Sequence, residues 1–339
     1  MPLPLVDSPL SAAVSRREAI QYTLAGMIAA TVGLPRSATA QSYPTRAVRL
    51  LVPVAAGGGT DMIARVVADA LSRHMGQPWV VDNQAGAGGQ IASQAIARAE
   101  PDGYNLLLGY VSTHGTLPAV RKLPYDVLKD FTPITMIGGA PNVLVCNAAT
   151  GPKSFQDYLA DLRANPGQAG YGSAGTGTIT HLVYEHLKLA TRTSVLHIPY
   201  RGIAPALTDL MAGQVQYSMP GLAGALGYIK SGKLRPLVVT GPARHPQLPD
   251  VPTLEELGVK NFKAAQWVGI MGPAHIPAAV VMALESACAQ VLRKPELTAK
   301  LAGDGLQMMP MSQPEFTNYV AADLARWRSV VKEQGIKES

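Results

Sequence analysis

Ser173 is the first residue to weigh for chemistry, because Tyr171-Gly-Ser-Ala-Gly175 approaches the Gly-x-Ser-x-Gly elbow that presents a hydrolase nucleophile. A tyrosine replaces the first glycine of that elbow, and the residues that follow hold far more glycine than it needs. Gly86-Ala-Gly-Gly-Gln-Ile91 lacks the third residue of the dinucleotide fingerprint, and no Gly-Lys-Ser/Thr phosphate loop occurs, so no nicotinamide or flavin cofactor is expected. His181 and His186 fall on different faces of one predicted helix and cannot share a metal ion. With neither His-Glu-x-x-His nor Cys-x-x-Cys present, no metal site is expected either. Binding without chemistry is the simplest reading.

The binding candidate is a pair of turns. In Arg49-Leu-Leu-Val-Pro-Val-Ala-Ala-Gly-Gly-Gly-Thr-Asp61 a short apolar strand meets a small-residue bend, and a helix follows with apolar residues at Met62, Ile63, Val66, Val67, Ala70 and Leu71. Glycine lets a ligand approach the backbone, and a helix start presents unpaired N–H groups at the positive end of its dipole. Strand, glycine turn and helix therefore make a candidate anion seat. Many α/β proteins carry such turns for structural reasons alone. Here, though, Ala56-Gly-Gly-Gly-Thr60 is echoed by Ala174-Gly-Thr-Gly-Thr178, again ahead of an apolar-striped helix. Two such turns suggest two α/β units facing each other across a ligand.

The elements that must hold these turns alternate along the chain. Strands are expected over Val48–Pro53, Trp79–Asp82 and Asn105–Gly109, the last ending at Ser112 and Thr113. Helices are expected near 60–75 and up to Ala99, the second opening on a third glycine turn at Gly86, Gly88 and Gly89. Such alternation argues for βαβ units and a parallel sheet, with ligands beyond the carboxyl ends of the strands. Ile134–Ile137 and Val143–Cys146 flank Gly138-Gly-Ala-Pro141, the expected first crossing between domains. Ser154-Phe-Gln-Asp157 opens a helix in the manner of a capping box. Further strands are expected at Gly170–Gly172, Val195–Ile198, Val215–Met219 and Leu234–Val239, with the return crossing at Val268–Met271 and helices near 277–292, 295–303 and 314–333. Domain 1 is thus expected to be discontinuous, 41–141 plus 264–339, around a domain 2 of 142–263. Two crossings imply a hinge.

Composition fits that plan. The 339 residues are 47% hydrophobic and 15% charged, enough for two packed domains. The net charge of +6 is spread along the chain without the aromatic clustering of a nucleic-acid binder, so mild steering of small anions is the better reading. Residues 1–40 read as an export signal. Ser15-Arg-Arg-Glu18 precedes an apolar run too short to span a membrane, and Ser37-Ala-Thr-Ala40 is a small-x-small cleavage pattern. The arginine pair points to the twin-arginine route, although Ala19-Ile20 replaces the usual bulky pair and a general secretion signal is the alternative. The mature chain would start near Gln41, in the periplasm. Cys146 and Cys288 fall in different expected domains and are read as free, buried thiols.

From Tyr43 to Gly335 the chain resembles the Bug-type periplasmic solute receptors of the tripartite tricarboxylate transporter system. The resemblance rests on Tyr43-Pro44, Val52-Pro53 with Ala56-Gly-Gly-Gly-Thr-Asp61, Gly86-Ala-Gly-Gly89, Pro101-Asp-Gly-Tyr104, Leu123-Pro-Tyr-Asp126, Ser173-Ala-Gly-Thr-Gly-Thr178 with His181-Leu182, Pro199-Tyr-Arg-Gly202 and Leu248-Pro-Asp-Val-Pro-Thr253. It implies a type II periplasmic-binding-protein fold, in which two α/β domains close on a small organic carboxylate. It also implies a monomer that delivers its ligand to membrane transporter subunits. By position, Val54, Ala55, Ala56, Gly57, Gly58, Gly59, Thr60 and Asp61 would line one wall. Ser173, Ala174, Gly175, Thr176, Gly177 and Thr178 would line the other, supported by His181. Tyr200, Arg201 and Gly202, with Met219, Pro220 and Gly221, would face the variable end of the ligand, where Arg201 could pair with a distal carboxylate. Val54 stands where many members have Phe. Pro220 stands where amino-acid binders often have Asp, so a mono-, di- or aromatic carboxylate is expected over an amino acid. Two other roles stay open at this point: a sensor that passes the ligand signal to a partner, and a hydrolase using Ser173.

Overall fold

The computed structural model describes residues 43–260, 262 and 264–336; the expected export signal lies outside them. The chain runs β1 (Val48–Val52), α1 (Gly59–Met75), β2 (Trp79–Asn83), α2 (Gln90–Ala97), β3 (Asn105–Tyr110), α3 (Leu117–Val120), β4 (Phe131–Pro141), β5 (Val143–Asn147), α4 (Phe155–Ala164), β6 (Gly170–Ser173), α5 (Ile179–Thr191), β7 (Leu196–Pro199), α6 (Ile203–Met211), β8 (Tyr217–Ser218), α7 (Leu222–Lys230), β9 (Leu234–Val239), β10 (Ala265–Pro273), α8 (Ala278–Leu292), α9 (Pro295–Gly303), β11 (Gln307–Met311) and α10 (Gln313–Gln334). Six strands form one sheet in the order β11-β4-β10-β3-β1-β2, and five form another in the order β7-β6-β8-β5-β9. Only Asn142 separates β4 in the first sheet from β5 in the second, and the chain returns between β9 and β10.

The sheets are mixed, not parallel as the alternation suggested. β1 runs parallel to β2 and β3, whereas β10 is antiparallel to β3 and β4, and β11 is antiparallel to β4. In the second sheet β6 is parallel to β7 and β8, while β5 is antiparallel to β8 and β9. The crossing strands contribute to this: β5 enters its sheet directly from β4 of the other, and β10 its sheet from β9 of the other, so neither is placed by a βαβ unit, whose helical crossover makes strands parallel.

Position in the sheet decides which strands are apolar. The central strands β3, β4, β10 and β5 are buried along nearly their whole length, and their sequences are almost continuously apolar. Edge strands β2, β7 and β11 are half exposed and carry polar residues. Gly138 and Gly139, expected at the first crossing between domains, lie inside β4. A side chain at Gly138 would run into the Gln307 carbonyl of β11, and one at Gly139 into that of Gln266 in β10, so glycine is what lets three strands pack there. Helix α1 turns Ile63, Ala64, Val67, Ala68 and Leu71 inward, leaving Met62 exposed and Val66 half-buried. Helix α4 opens on Ser154, whose Oγ accepts from the Asp157 N–H at 3.0 Å. Cys146 and Cys288 are free and buried.

Candidate functional site

Asp61 builds the first turn. Its side chain is 2% exposed, and Oδ2 accepts from the Gly57 N–H at 2.9 Å and from Arg65 Nε at 3.0 Å, while Oδ1 accepts from Asn83 Nδ2 at 2.8 Å. Burial alone would raise its pKa. The bonds from Arg65, Gly57 and Asn83 outweigh burial and hold the carboxyl below its ordinary value. Asp61 is therefore a charged staple that folds the bend back over the start of α1. Asn83 Nδ2 also reaches the Val54 carbonyl at 3.1 Å, fixing the other end of the bend. Among the described residues, the N–H groups of Gly58, Gly59 and Thr60 have no hydrogen-bond partner within the protein. These are the orphan donors that any helix start leaves.

The second turn is built differently, and spends its donors on itself. The Ala174 N–H goes to Thr180 Oγ1 at 2.8 Å, the Gly175 N–H to Ser173 Oγ at 3.1 Å, and the Gly177 N–H to His181 Nδ1 at 3.1 Å. Thr178 Oγ1 closes the turn on the Gly175 carbonyl at 2.6 Å. Gly175 adopts φ +123°, a conformation that L side chains rarely take, and a Cβ there would stand 3.2 Å from the Tyr200 carbonyl. Beneath the turn four rings stack in sequence: Tyr184 on Tyr171 at 3.8 Å, Tyr171 on His197 at 5.0 Å, and His197 on His181 at 4.1 Å between centroids. Burial, followed by the neighbouring His181, pushes the His197 pKa down to about 4. A neutral His197 can accept a hydrogen bond on Nε2 from the Ser173 hydroxyl, at 2.6 Å. His181 thus supports the turn, as the resemblance implied, by accepting from its Gly177 N–H. His186 stacks on Phe262 at 4.2 Å instead, well separated in role from His181.

The two turns meet. Three cavities follow one another between the sheets. One of about 220 Å³ is bordered by Val54, the third glycine turn, Tyr110, Arg121, Ala174–Thr176 and Tyr200–Gly202. The next, about 30 Å³, shares Val54, Tyr110 and Ala174 with it and adds Ala55, Gly58, Thr60, Ser112, Thr180, Ile203 and Gln266. The third, about 40 Å³, shares Thr60, Ile203 and Gln266 and reaches Gly59, Gly221 and Gly224. The backbones touch as well. A Cβ at Gly59 would stand 2.5 Å from the Gly224 N, and one at Gly202 would stand 3.3 Å from the Ala55 Cβ. Ser112 Oγ accepts from the Ile179 N–H at the head of α5, at 3.1 Å.

Of the residues singled out from sequence, Val54, Ala55, Gly58, Gly59, Thr60, Ala174, Gly175, Thr176, Tyr200, Arg201, Gly202 and Gly221 border these cavities. Ala56, Gly57, Asp61, Ser173, Gly177, Thr178, His181, Met219 and Pro220 do not; most of them hold the turns from behind. Met219 and Pro220 are buried at the crossing, where their carbonyls accept from Asn142 Nδ2 and the Val143 N–H, both at 2.9 Å. Tyr200–Arg201 and Met219–Gly221 therefore sit at opposite ends of the row, not together at one end of a ligand. Tyr110, Arg121, Ser112, Thr180, Ile203 and Gln266 were missed. Gln266, a lone amide beside the apolar run Trp267–Met271, and Ser112, at the carboxyl end of β3, carried a readable signal. The chain within Ser112–Thr116 forms a π-helical turn, a distortion that pattern reading does not show. Among the described residues no group of His, Cys, Asp and Glu could hold a metal ion.

Two mixed α/β sheets joined by crossing strands, with opposed glycine turns bordering the space between them, define the two-domain fold of periplasmic binding proteins. Residues 63–336 match the family model described as "Tripartite tricarboxylate transporter family receptor", and the chain belongs to that family of solute-binding receptors. It is similar to the protein BugT of Bordetella pertussis, 34% identical over 314 residues that cover 92% of this chain and 96% of BugT. Among solved structures it is similar to R. palustris Rpa4515 with adipate, at TM-score 0.84 and 35% identity, covering 87% of this chain and 99% of that one. It is also similar to MatC (Rpa3494) from Rhodopseudomonas palustris with bound malate, at TM-score 0.81 and 30% identity, covering 85% and 100%.

Proposed function

We propose that this receptor captures a small organic carboxylate in the periplasm, between a lobe of residues 41–141 plus 264–339 and a lobe of 142–263. It then presents the closed complex to membrane transporter subunits. The observation that carries the reading is the set of unpartnered N–H groups at Gly58, Gly59 and Thr60, at the positive end of the 17-residue helix α1; Gly58 and Thr60 border a cavity that Ala174 also borders, and Gly59 borders the next one. An anion there gains charge-assisted bonds from neutral donors. The second turn contributes shape and the Thr176 N–H more than a matching set of amides. Because the ligand touches both lobes, it favours the closed form over the open one. Adipate and malate in the similar proteins support an acid of that size.

No reaction is assigned. Ser173 and His197 have the spacing of a nucleophile and its base, yet Ser173 is fully buried and its Oγ already holds the Gly175 N–H. Export through residues 1–40 and action as a monomer belong to the same proposal. Gly175→Val tests the site: the added branches must strain φ +123° and crowd the Tyr200 carbonyl. Calorimetry with an acid that binds the unaltered protein should show binding abolished. Unchanged affinity would place the site elsewhere.

A further inference from the structure

Gln266 is a polar side chain in an apolar place. It stands on β10 one residue ahead of the buried run Trp267–Met271, and is itself half-buried. It borders both of the small cavities beside the Gly58–Thr60 donors, the one of about 30 Å³ and the one of about 40 Å³, a position that Thr60 and Ile203 share. Its carboxamide lies over Gly221, at the head of α7: a Cβ there would stand 2.7 Å from Cδ, 2.7 Å from Nε2 and 3.0 Å from Oε1. Glycine at 221 is therefore what leaves the amide its place. Among the described residues neither Oε1 nor Nε2 has a hydrogen-bond partner. Polar groups inside proteins are ordinarily paired, and an amide that the protein leaves unpaired at a cavity wall offers a donor and an acceptor to whatever enters. No charged side chain borders either cavity, so beyond the carboxylate held by the α1 amides the space suits a neutral polar group.

The Gly58–Thr60 seat fixes where a ligand's first carbons go. Thr60 borders the same two cavities as Gln266, so a substituent on the carbon next to a carboxylate at that seat enters space that the amide borders. A single water needs about 10–15 Å³, so cavities of about 30 and 40 Å³ hold a substituent of one or two heavy atoms and not a ring. We propose that Gln266 recognises a hydroxyl on the carbon next to the carboxylate, donating to its oxygen from Nε2 or accepting its hydrogen on Oε1, so that the receptor prefers a 2-hydroxy acid to the same acid without the hydroxyl. This rests on the carboxylate reading above and names the feature chosen within that class. A hydroxyl pairs with either end of the amide, whichever way the amide turns. An oxo group uses only the donor, an ammonium group only the acceptor, and no carboxylate borders either cavity to balance the ammonium charge. A methyl group uses neither end and leaves the amide unpaired, which is how a site built for a hydroxyl rejects the analogue that lacks it.

Calorimetry on the purified protein with lactate, 2-hydroxybutyrate and malate, each beside the acid that lacks the hydroxyl (propionate, butyrate and succinate), reads the preference directly. Isobutyrate, in which methyl replaces the hydroxyl of lactate, separates hydrogen bonding from size. The best hydroxy acid should bind about 10-fold or more tightly than its unsubstituted partner, and lactate more tightly than isobutyrate. In Gln266→Leu that ratio should fall towards one. Gly221→Ala should lower it as well: φ −64° at 221 admits any residue, and the added methyl pushes the flexible end of Gln266 aside. A ratio near one in the unaltered protein, or a ratio unmoved by both Gln266→Leu and Gly221→Ala, overturns the role of Gln266. If that happens while Gly175→Val still abolishes binding of the unsubstituted acid, the carboxylate site stands and only the hydroxyl recognition fails. If Gly175→Val also leaves binding intact, the site itself is wrong, and Gln266 has no part in it.

Discussion

Protonating His197 would remove the acceptor to which Ser173 donates, and with it one support of the second glycine turn. Burial holds the pKa of His197 and of His186 near 4, and that of the fully buried His114 near 3, against an ordinary value of 6.5. Each is neutral when folded and takes up a proton more readily when unfolded. Their contribution to stability is therefore complete above pH 6.5 and is lost as pH falls through about 4. Differential scanning calorimetry should show a Tm that is flat above pH 6.5 and drops towards pH 4, with a shallower drop in His197→Gln. A His197→Gln profile that superposes on the parent profile would mean His197 carries none of this dependence. At this scale the sequence was half legible. The small residues of both turns were plain, but the side chains that occupy the second turn's N–H groups were not. Ser173, Thr180 and His181 reach those groups through a fold that spacing along the chain does not reveal.

Among the elements, what could be read were the strands buried on both faces and the helices with strong stripes, because burial forces an apolar pattern. β11 was missed for the opposite reason. It lies at the edge of its sheet, pairs on one side only, and its sequence Gln-Met-Met-Pro-Met neither alternates nor stays apolar. Gly138-Gly-Ala-Pro141, expected as the crossing, forms the end of β4, and its glycines serve close packing against β11 and β10. The contact between the start of α1 and the start of α7 has a direct test. Gly59→Val adds atoms whose nearest obstacles are the backbone of Ala223 and Gly224, at the start of α7. The lobes should fold with no loss from helix propensity, because valine is a better helix former than glycine, yet fail to close. Small-angle scattering with saturating acid should then give a larger radius of gyration than the unaltered protein. Equal radii would show that the two helix starts do not meet on closure.

For the whole molecule, two sheets connected at Asn142 and between β9 and β10 set one helix start against a shaped turn, and three cavities lie along the seam. The net charge of +6 is spread along the sequence without aromatic clustering, and suits a receptor that attracts small acids. Capture by unpartnered backbone donors makes a sharp demand on the ligand, because those donors reward negative charge and not mere shape. The most direct measurement is a thermal-shift screen of short carboxylic acids, each run beside its own primary amide as the uncharged, near-isosteric control. At least one acid should raise Tm at millimolar concentration while its amide leaves Tm unchanged. Acids and amides that stabilise equally, or a full panel in which no acid raises Tm, would contradict capture of a carboxylate by the Gly58–Thr60 donors.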